Sequence, residues 1–391
     1  MITVIKNCEI YSPEYLGKKD IIINGDTIEG IYESVDIPEN FGEIKVINAE
    51  GKLAVPGFID SHVHILGGGG EGGFKTRTPE LQISEIFEAG ITSVIGCLGT
   101  DGVCRDLNSL LAKARALEEE GVSTYIYSGS YEIPVNTITG SIRSDIMLID
   151  KVIGIGEIAL SDHRSSQPTY EDFVKVCAAA RVGGMLSGKG GAVNVHLGAG
   201  ERGLQYLFRM VKETEIPISQ VIPTHLGRSR KLFEEAIEFA KIGGIIDLTT
   251  SCDPDNLEED EVKAGTGLKM LLDAGIPINQ IQFSSDGHGS LPLFNSRREL
   301  VGLGIGSVRS LYREVRDSVL KDSVKLEDAI KVITSNAADH LSLKGKGKIE
   351  KDRDADIVLL AKEDLNIRSV ISGGKEVMKN GELLVKGTFE R

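Results

Sequence analysis

The sequence predicts an α/β protein: a TIM-like (β/α)8 barrel with a small β-sandwich domain formed by both termini. Three observations carry that expectation. Strand-like and helix-like patterns alternate through the middle of the 391-residue chain, as βα units of a parallel sheet do. Several of those strand-like segments end in a side chain able to bind a cation, and such ends converge only if the strands surround a common axis. The two ends of the chain show short alternating apolar runs with no helical period.

In chain order, residues 1–55 hold the runs Ile2-Thr-Val-Ile, Asp20-Ile-Ile-Ile, Thr27-Ile-Glu-Gly-Ile and Lys45-Val-Ile. Turns at Asn24-Gly25-Asp26 and Ala49-Glu50-Gly51 separate them. Residues 345–391 repeat that texture in Ala355-Asp-Ile-Val-Leu-Leu, Ile367-Arg-Ser-Val-Ile and Lys375-Glu-Val-Met. The two ends are therefore expected to join beside a barrel spanning 56–344. Candidate barrel strands are 57–64, 92–99, 123–131, 152–160, 192–198, 219–226, 244–250 and 281–286. Helical stretches include Arg105 to Glu120, Tyr170 to Leu186, Leu232 to Lys241 and Val262 to Ala274, with Arg298 to Val319 and Leu326 to His340 closing the ring. An open doubly wound sheet is the rival, but its ligands gather at one switch point and not on most strands.

A hydrophobic fraction of 41% and a charged fraction of 26% are those of an ordinary folded protein. The net charge of −14 argues against general attraction to nucleic acid or anionic membrane. No apolar run approaches the ~20 residues of a membrane span. Met1-Ile-Thr-Val-Ile-Lys lacks the layout of a signal peptide, so the expected location is cytoplasmic. Cys8, Cys97, Cys104, Cys177 and Cys252 are scattered, with no C-x-x-C pair. They read as reduced, mostly buried thiols, with reactive or ligand roles as the alternative.

His62 and His64 close an apolar run that begins at Leu53. Strand side chains alternate faces, so both imidazoles project from one face and can meet one cation. Glu157, His196, His225 and Asp286 end later strand-like segments. A lone histidine is more often a core or surface residue, but four of the seven here end candidate parallel strands and are read jointly as metal ligands. His163, His288 and His340 are read as non-ligands, with His163 a candidate support behind the centre. Asp286 taken alone would be a turn or cap residue. At the last strand it is read as a ligand that also shuttles a proton. Together these residues point to hydrolysis at a metal centre.

On Val55-Pro-Gly-Phe-Ile-Asp-Ser-His62-Val-His64, the separate His196 and His225, Asp286 and the tail Gly347-Lys-Ile-Glu-Lys-Asp-Arg-Asp-Ala-Asp-Ile-Val, the chain resembles the amidohydrolase superfamily nearly end to end. Further motifs make it similar to the isoaspartyl (β-aspartyl) dipeptidases within that superfamily. They are Gly67-Gly-Gly-Gly-Glu71, Leu98-Gly-Thr100-Asp, Gly129-Ser-Tyr131, Thr137-Ile-Thr-Gly-Ser, Ser161-Asp-His-Arg164, Pro223-Thr-His-Leu-Gly-Arg228 and Ser285-Asp-Gly-His-Gly-Ser290. The resemblance implies two divalent metal ions, expected to be zinc, linked by a hydroxide and a carboxylated lysine. It also implies a small dipeptide as the bound partner, cleaved by the bridging hydroxide into aspartate and an amino acid, and a homo-oligomer.

The chain departs at the bridge, where Glu157 stands in place of the lysine. A glutamate needs no carbon dioxide, but its carboxyl carbon is closer to Cα by about 3–4 Å. The backbone must move inward, and a bulge at Gly156 would permit that. Ligation of a single metal, or a structural acid, is the other reading of Glu157. Under the resemblance, Glu71 pairs with the substrate ammonium and Arg164 and Arg228 clamp its carboxylates. Thr100 and Ser290 donate hydroxyls to a carboxylate, and Tyr131 donates to the developing oxyanion. Each has a plain alternative as a loop acid, surface arginine, turn cap or core tyrosine. The glycine-rich loop lacks the Gly-Lys-Ser/Thr of a nucleotide P-loop. The nearest rival is a cyclic amidase of the dihydroorotase or hydantoinase kind, which has no use for Glu71 as an ammonium partner. A catalytically silent scaffold is the other.

Overall fold

A computed structural model describes residues 1–38, 42–252, 260–295 and 300–390. The chain begins with strands β1 (Ile2–Tyr11), β2 (Tyr15–Asn24), β3 (Thr27–Tyr32), β4 (Ile44–Asn48) and β5 (Lys52–Pro56). Then strands and helices alternate: β6 (Phe58–Val63), α1 (Ile83–Glu88), β7 (Ile91–Gly96), α2 (Leu107–Glu119), β8 (Ser123–Ser128), α3 (Ile142–Leu148), β9 (Val152–Leu160), α4 (Tyr170–Ser187), β10 (Ala192–Leu197), α5 (Gln205–Glu213), β11 (Val221–Thr224), α6 (Arg230–Lys241), β12 (Ile246–Thr249), α7 (Ala264–Asp273) and β13 (Ile281–Ser284). A hairpin follows, β14 (Ser290–Phe294) with β15 (Leu300–Ile305), then α8 (Ser310–Leu320), α9 (Leu326–Lys331) and α10 (Ser335–Leu341). Strands β16 (Ile357–Ala361), β17 (Ile367–Ser372), β18 (Lys375–Lys379) and β19 (Glu382–Leu383) end the chain.

The first six parallel strands of the middle region form one sheet in the order β11-β10-β9-β8-β7-β6, and β12 and β13 form a parallel pair. Backbone hydrogen bonds connect the two groups at both sides. Leu226 N donates to the Asp247 carbonyl at 3.4 Å, while His64 N donates to Gly287 at 2.9 Å and Asp286 N to His62 at 3.1 Å. Strands β6, β7, β9, β10 and β11 are buried along their whole length, as expected of parallel strands covered by helices. Those helices are started by side-chain caps at Asp106, Ser141, Thr169 and Ser229. On α6 the spacing of Leu232, Phe233, Ala236, Phe239 and Ala240 lays one apolar face on the core.

Both ends of the chain enter a single nine-stranded sheet, β19-β18-β17-β16-β5-β1-β2-β3, with β4 beside β1. Strand β5 joins the halves, antiparallel to β16 and parallel to β1. Alternation along β16 sends Ile357 and Leu359 into a separate core with Ile5, Ile10, Ile21 and Ile23. Val358 and Leu360 face the main core instead.

Two helix expectations need correction. Residues 300–305 form a strand, and the helix expected from Arg298 begins only at Ser310. Leu300-Val-Gly-Leu-Gly-Ile alternates with period two, and Gly302 and Gly304 disfavour a helix, so pairing with β14 prevails. Residues 298 and 299 of that expected helix lie outside the described residues. The helix expected over 326–340 is two helices, interrupted at Thr334, whose hydroxyl returns to the Ile330 carbonyl at 2.7 Å. Four of the five cysteines are buried and Cys104 is exposed. Among the described residues no helix is long and apolar enough to cross a membrane.

Lys346 fastens the terminal sheet to the parallel strands. Its ammonium is 5% exposed and donates to Asp356 and to Ser123 Oγ, both at 2.6 Å, and reaches Asp354 at 2.7 Å. Burial alone would lower its pKa, but the Asp356 and Asp354 charges outweigh it and raise it, keeping the group cationic. Lys346→Met strands the buried Asp356 carboxylate. It is expected to lower the unfolding free energy by about 3–5 kcal/mol, read from denaturant midpoints.

Candidate metal centre and substrate pocket

Glu157 lies on β9 with 1% exposure, facing four imidazoles. Its Oε2 is 3.1 Å from His196 Nδ1, 3.3 Å from His62 Nε2 and 3.7 Å from His225 Nε2, and its Oε1 is 3.4 Å from His64 Nε2. The short side chain reaches this point because β9 bulges. Val193 pairs with Ile155 and Val195 with Ile158, so Gly156 and Glu157 together oppose Asn194. Only glycine fits at the bulge: a Cβ on Gly156 would stand 2.8 Å from Asn194 Cβ and 3.0 Å from its carbonyl oxygen.

Asp286 follows β13 with a left-handed backbone, φ 53°, as does His225 after β11, φ 65°. Non-glycine residues hold that conformation at a cost and persist in it where surroundings impose it. Asp286 Oδ1 lies 3.0 Å from His64 Nε2 and 3.7 Å from His62 Nε2. Burial pushes the Asp286 carboxyl up, but the hydrogen bond and charge of His64 outweigh it, with His225 and His62, and hold it at about 2. Burial also opposes ionisation of Glu157, and the surrounding His62, His196 and His225 reverse that and hold its carboxyl well below the usual range. His225 is kept neutral, pushed down to about 3 by burial and by His196.

These residues fit a metal. Among the described residues, both ring nitrogens of His62 are buried without a hydrogen-bond partner, although other donor atoms stand close. Polar atoms are rarely left so in a folded interior unless something else binds them. The ligand-capable atoms of Glu157, His196 and His225 lie within 4.8 Å of one another, as do those of His62, His64, Cys97 and Glu157. Outer nitrogens are tied back: His225 Nδ1 is 2.7 Å from Thr249 Oγ1, and His196 Nε2 is 3.0 Å from Asp162 Oδ2. The expected support His163 is 91% exposed, and its neighbour Asp162 occupies that place. His288 is bound to Pro79 and Glu85, and His340 to Gln282 and Asn279, away from the cluster.

Above the cluster opens a cavity whose wall includes Glu71, Thr100, Tyr131, Arg164, Arg228, Asp286 and Ser290. Thr100 donates to Glu71 Oε1 at 3.0 Å, and Arg164 Nη1 donates to the same oxygen at 3.2 Å. The rest of the Arg164 fork is held by Asp162 at 2.8 and 3.0 Å. Arg228 donates to the Leu197 carbonyl at 3.0 Å. Tyr131 Oη lies 2.9 Å from His196 Nδ1. Burial and the Glu157 charge push its phenol well above the usual range, so the O–H is retained as a donor.

Sequence reasoning missed Asp162 and Cys97 as members of this cluster. Asp162 sits inside the quoted Ser161-Asp-His-Arg164 motif, directly after the strand that carries Glu157, and that position was its signal. Cys97 likewise follows the second parallel strand, and its Sγ is 3.9 Å from His64 Nδ1.

The sequence matches the amidohydrolase family over residues 53–377. It is similar to the solved β-aspartyl dipeptidase of the thermophilic, keratin-degrading Fervidobacterium islandicum AW-1, in complex with β-Asp-Leu. The two are 49% identical, with 98% of this chain and 97% of that one covered and a TM-score of 0.91. The dihydropyrimidinase of Brevibacillus agri NCHU1002 shares the fold at 17% identity, over 99% of this chain and 97% of that one, with a TM-score of 0.67. A dihydroorotase of Caldanaerobacter subterraneus subsp. tengcongensis is 29% identical over 147 residues, 37% of this chain and 31% of its own length. The chain thus spans under a third of that relative.

Gly156→Ala is expected to lower the unfolding free energy by about 1–3 kcal/mol through crowding of Asn194. It should also reduce the metal bound per chain, measured by elemental analysis of the purified protein.

Proposed function

The chain belongs to the amidohydrolase family, and on that premise we propose that it is a metal-dependent dipeptidase cleaving β-aspartyl dipeptides into aspartate and a free amino acid. The observation that carries this reading is its likeness, over nearly the whole length of both chains, to the Fervidobacterium enzyme bound to β-Asp-Leu. The accompanying fold is a closed (β/α)8 barrel with a terminal β-sandwich. The hydrogen bonds between the β6 end and the residues after β13 support closure.

His62, His64, Glu157, His196, His225 and Asp286 would hold two divalent cations, with Glu157 shared between them. Imidazole and carboxylate donors suit zinc. When bound, such a pair makes water a strong nucleophile at neutral pH and polarises the scissile carbonyl. The protein does the rest. Asp286 is ionised at the cavity floor, so its carboxylate accepts the proton released as water adds to the carbonyl carbon. The same proton goes to the departing α-amine as the C–N bond breaks. Tyr131 donates its O–H where negative charge develops on the carbonyl oxygen.

A β-aspartyl dipeptide offers one ammonium and two carboxylates. Glu71, steadied by Thr100 and Arg164, takes the ammonium. Arg164 and Arg228 present guanidinium groups to the carboxylates, and the Ser290 hydroxyl adds a donor. A cyclic amide would leave Glu71 unused, and the dihydroorotase likeness covers too little of either chain to favour that reading.

The purified protein is expected to cleave β-Asp-Leu and to spare α-Asp-Leu and dihydroorotate. Equal rates on both peptide isomers would count against the assignment. Asp286→Asn should lower kcat by about 10²–10⁴-fold with little change in KM. Complete chelation should abolish turnover, with zinc restoring it.

A further inference from the structure

Cys97 is a buried nucleophile to which the proposed reaction gives no task. Strand β7 ends at Gly96, paired with Val63, and Cys97 N donates to the Val63 carbonyl at 3.0 Å. That register sets the thiol beside His62 and His64, with 1% exposure. Its Sγ and the ligand-capable atoms of His62, His64 and Glu157 all lie within 4.8 Å of one another. Independently of the thiol, His62 is fully buried, and neither of its ring nitrogens has a hydrogen-bond partner among the described residues. Cys97, like Cys8 and Cys177, packs in an apolar cluster, but among the described residues only its thiol is grouped with metal-capable side chains.

We propose that Cys97 is a thiolate ligand of the cation held by His62, His64 and Glu157. The two cation sites then differ in chemistry: one adds a soft sulfur donor, the other has only Glu157, His196 and His225. The inference rests on the metal-centre reading above. Binding replaces the S–H bond with a sulfur–cation bond and releases the proton to solvent. Sulfur favours zinc over magnesium or manganese, so this site is the selective one and the last to empty.

The test uses the full chain, stripped of metal and reloaded with cobalt(II) alone. The expected spectrum contains a near-ultraviolet thiolate-to-cobalt charge-transfer band that disappears in Cys97→Ser and remains in Cys104→Ser. Cys97→Ser should also weaken cobalt retention by more than the roughly 10–100-fold that follows loss of an outer partner. Cobalt bound with visible ligand-field absorption but no charge-transfer band in the parent protein would overturn the thiolate and leave the histidine–carboxylate centre standing. No cobalt uptake at all would bring down both. The parent spectrum decides the matter even if the variant folds poorly.

Discussion

A single carboxylate placed among four imidazoles governs how this molecule is built. Taking a charge out of water is costly unless partners surround it, and Glu157 has them on every side that the parallel strands offer. The side chain is too short to reach them from a regular strand. Hence the bulge, hence glycine at 156 against Asn194, and hence a β9–β10 pairing that skips a residue at the point of greatest chemical importance. Thr249 and Asp162 then fix the outer nitrogens of two of the imidazoles, so the inward lone pairs are aimed before any ligand arrives.

The cavity wall follows the same logic of prior arrangement. Asp162 touches His196 and grips Arg164, which in turn reaches Glu71, which accepts from Thr100. This chain of charge-assisted contacts runs from the buried cluster to the rim. Side chains already held by neighbours lose less freedom when a substrate binds. It also links the cavity wall to the buried cluster, because Asp162, which touches His196, also holds the Arg164 guanidinium that lines the cavity.

The parallel strands were legible from their β-branched runs, and five of them, β6, β9, β10, β11 and β13, carry or lead into a clustered His, Glu or Asp, since strand periodicity and the residue types at strand ends are both written in local sequence. So were Glu71, Arg164 and Arg228 as members of one cavity, through the motifs around them. Three features were not. Strand β15 read as helix because short apolar runs are ambiguous, and its pairing with β14 decides the outcome. Thr334 interrupts a helical pattern through a hydroxyl bond that periodicity cannot register. Cys97 and Asp162 belong to the cluster by packing across strands, which residue type alone does not reveal.

The sheet shared by the two termini also bears on how the protein is made. Ile5, Cys8 and Ile10 of β1 are covered by Ile349, Ala355, Ile357 and Leu359 from the far end of the chain. Translation at roughly 5–20 residues per second leaves that apolar stripe waiting on the order of tens of seconds for its cover. A segment made early is therefore among the last to be fully covered. For that interval its side chains are open to a holding chaperone, or to the same stripe on a neighbouring nascent chain.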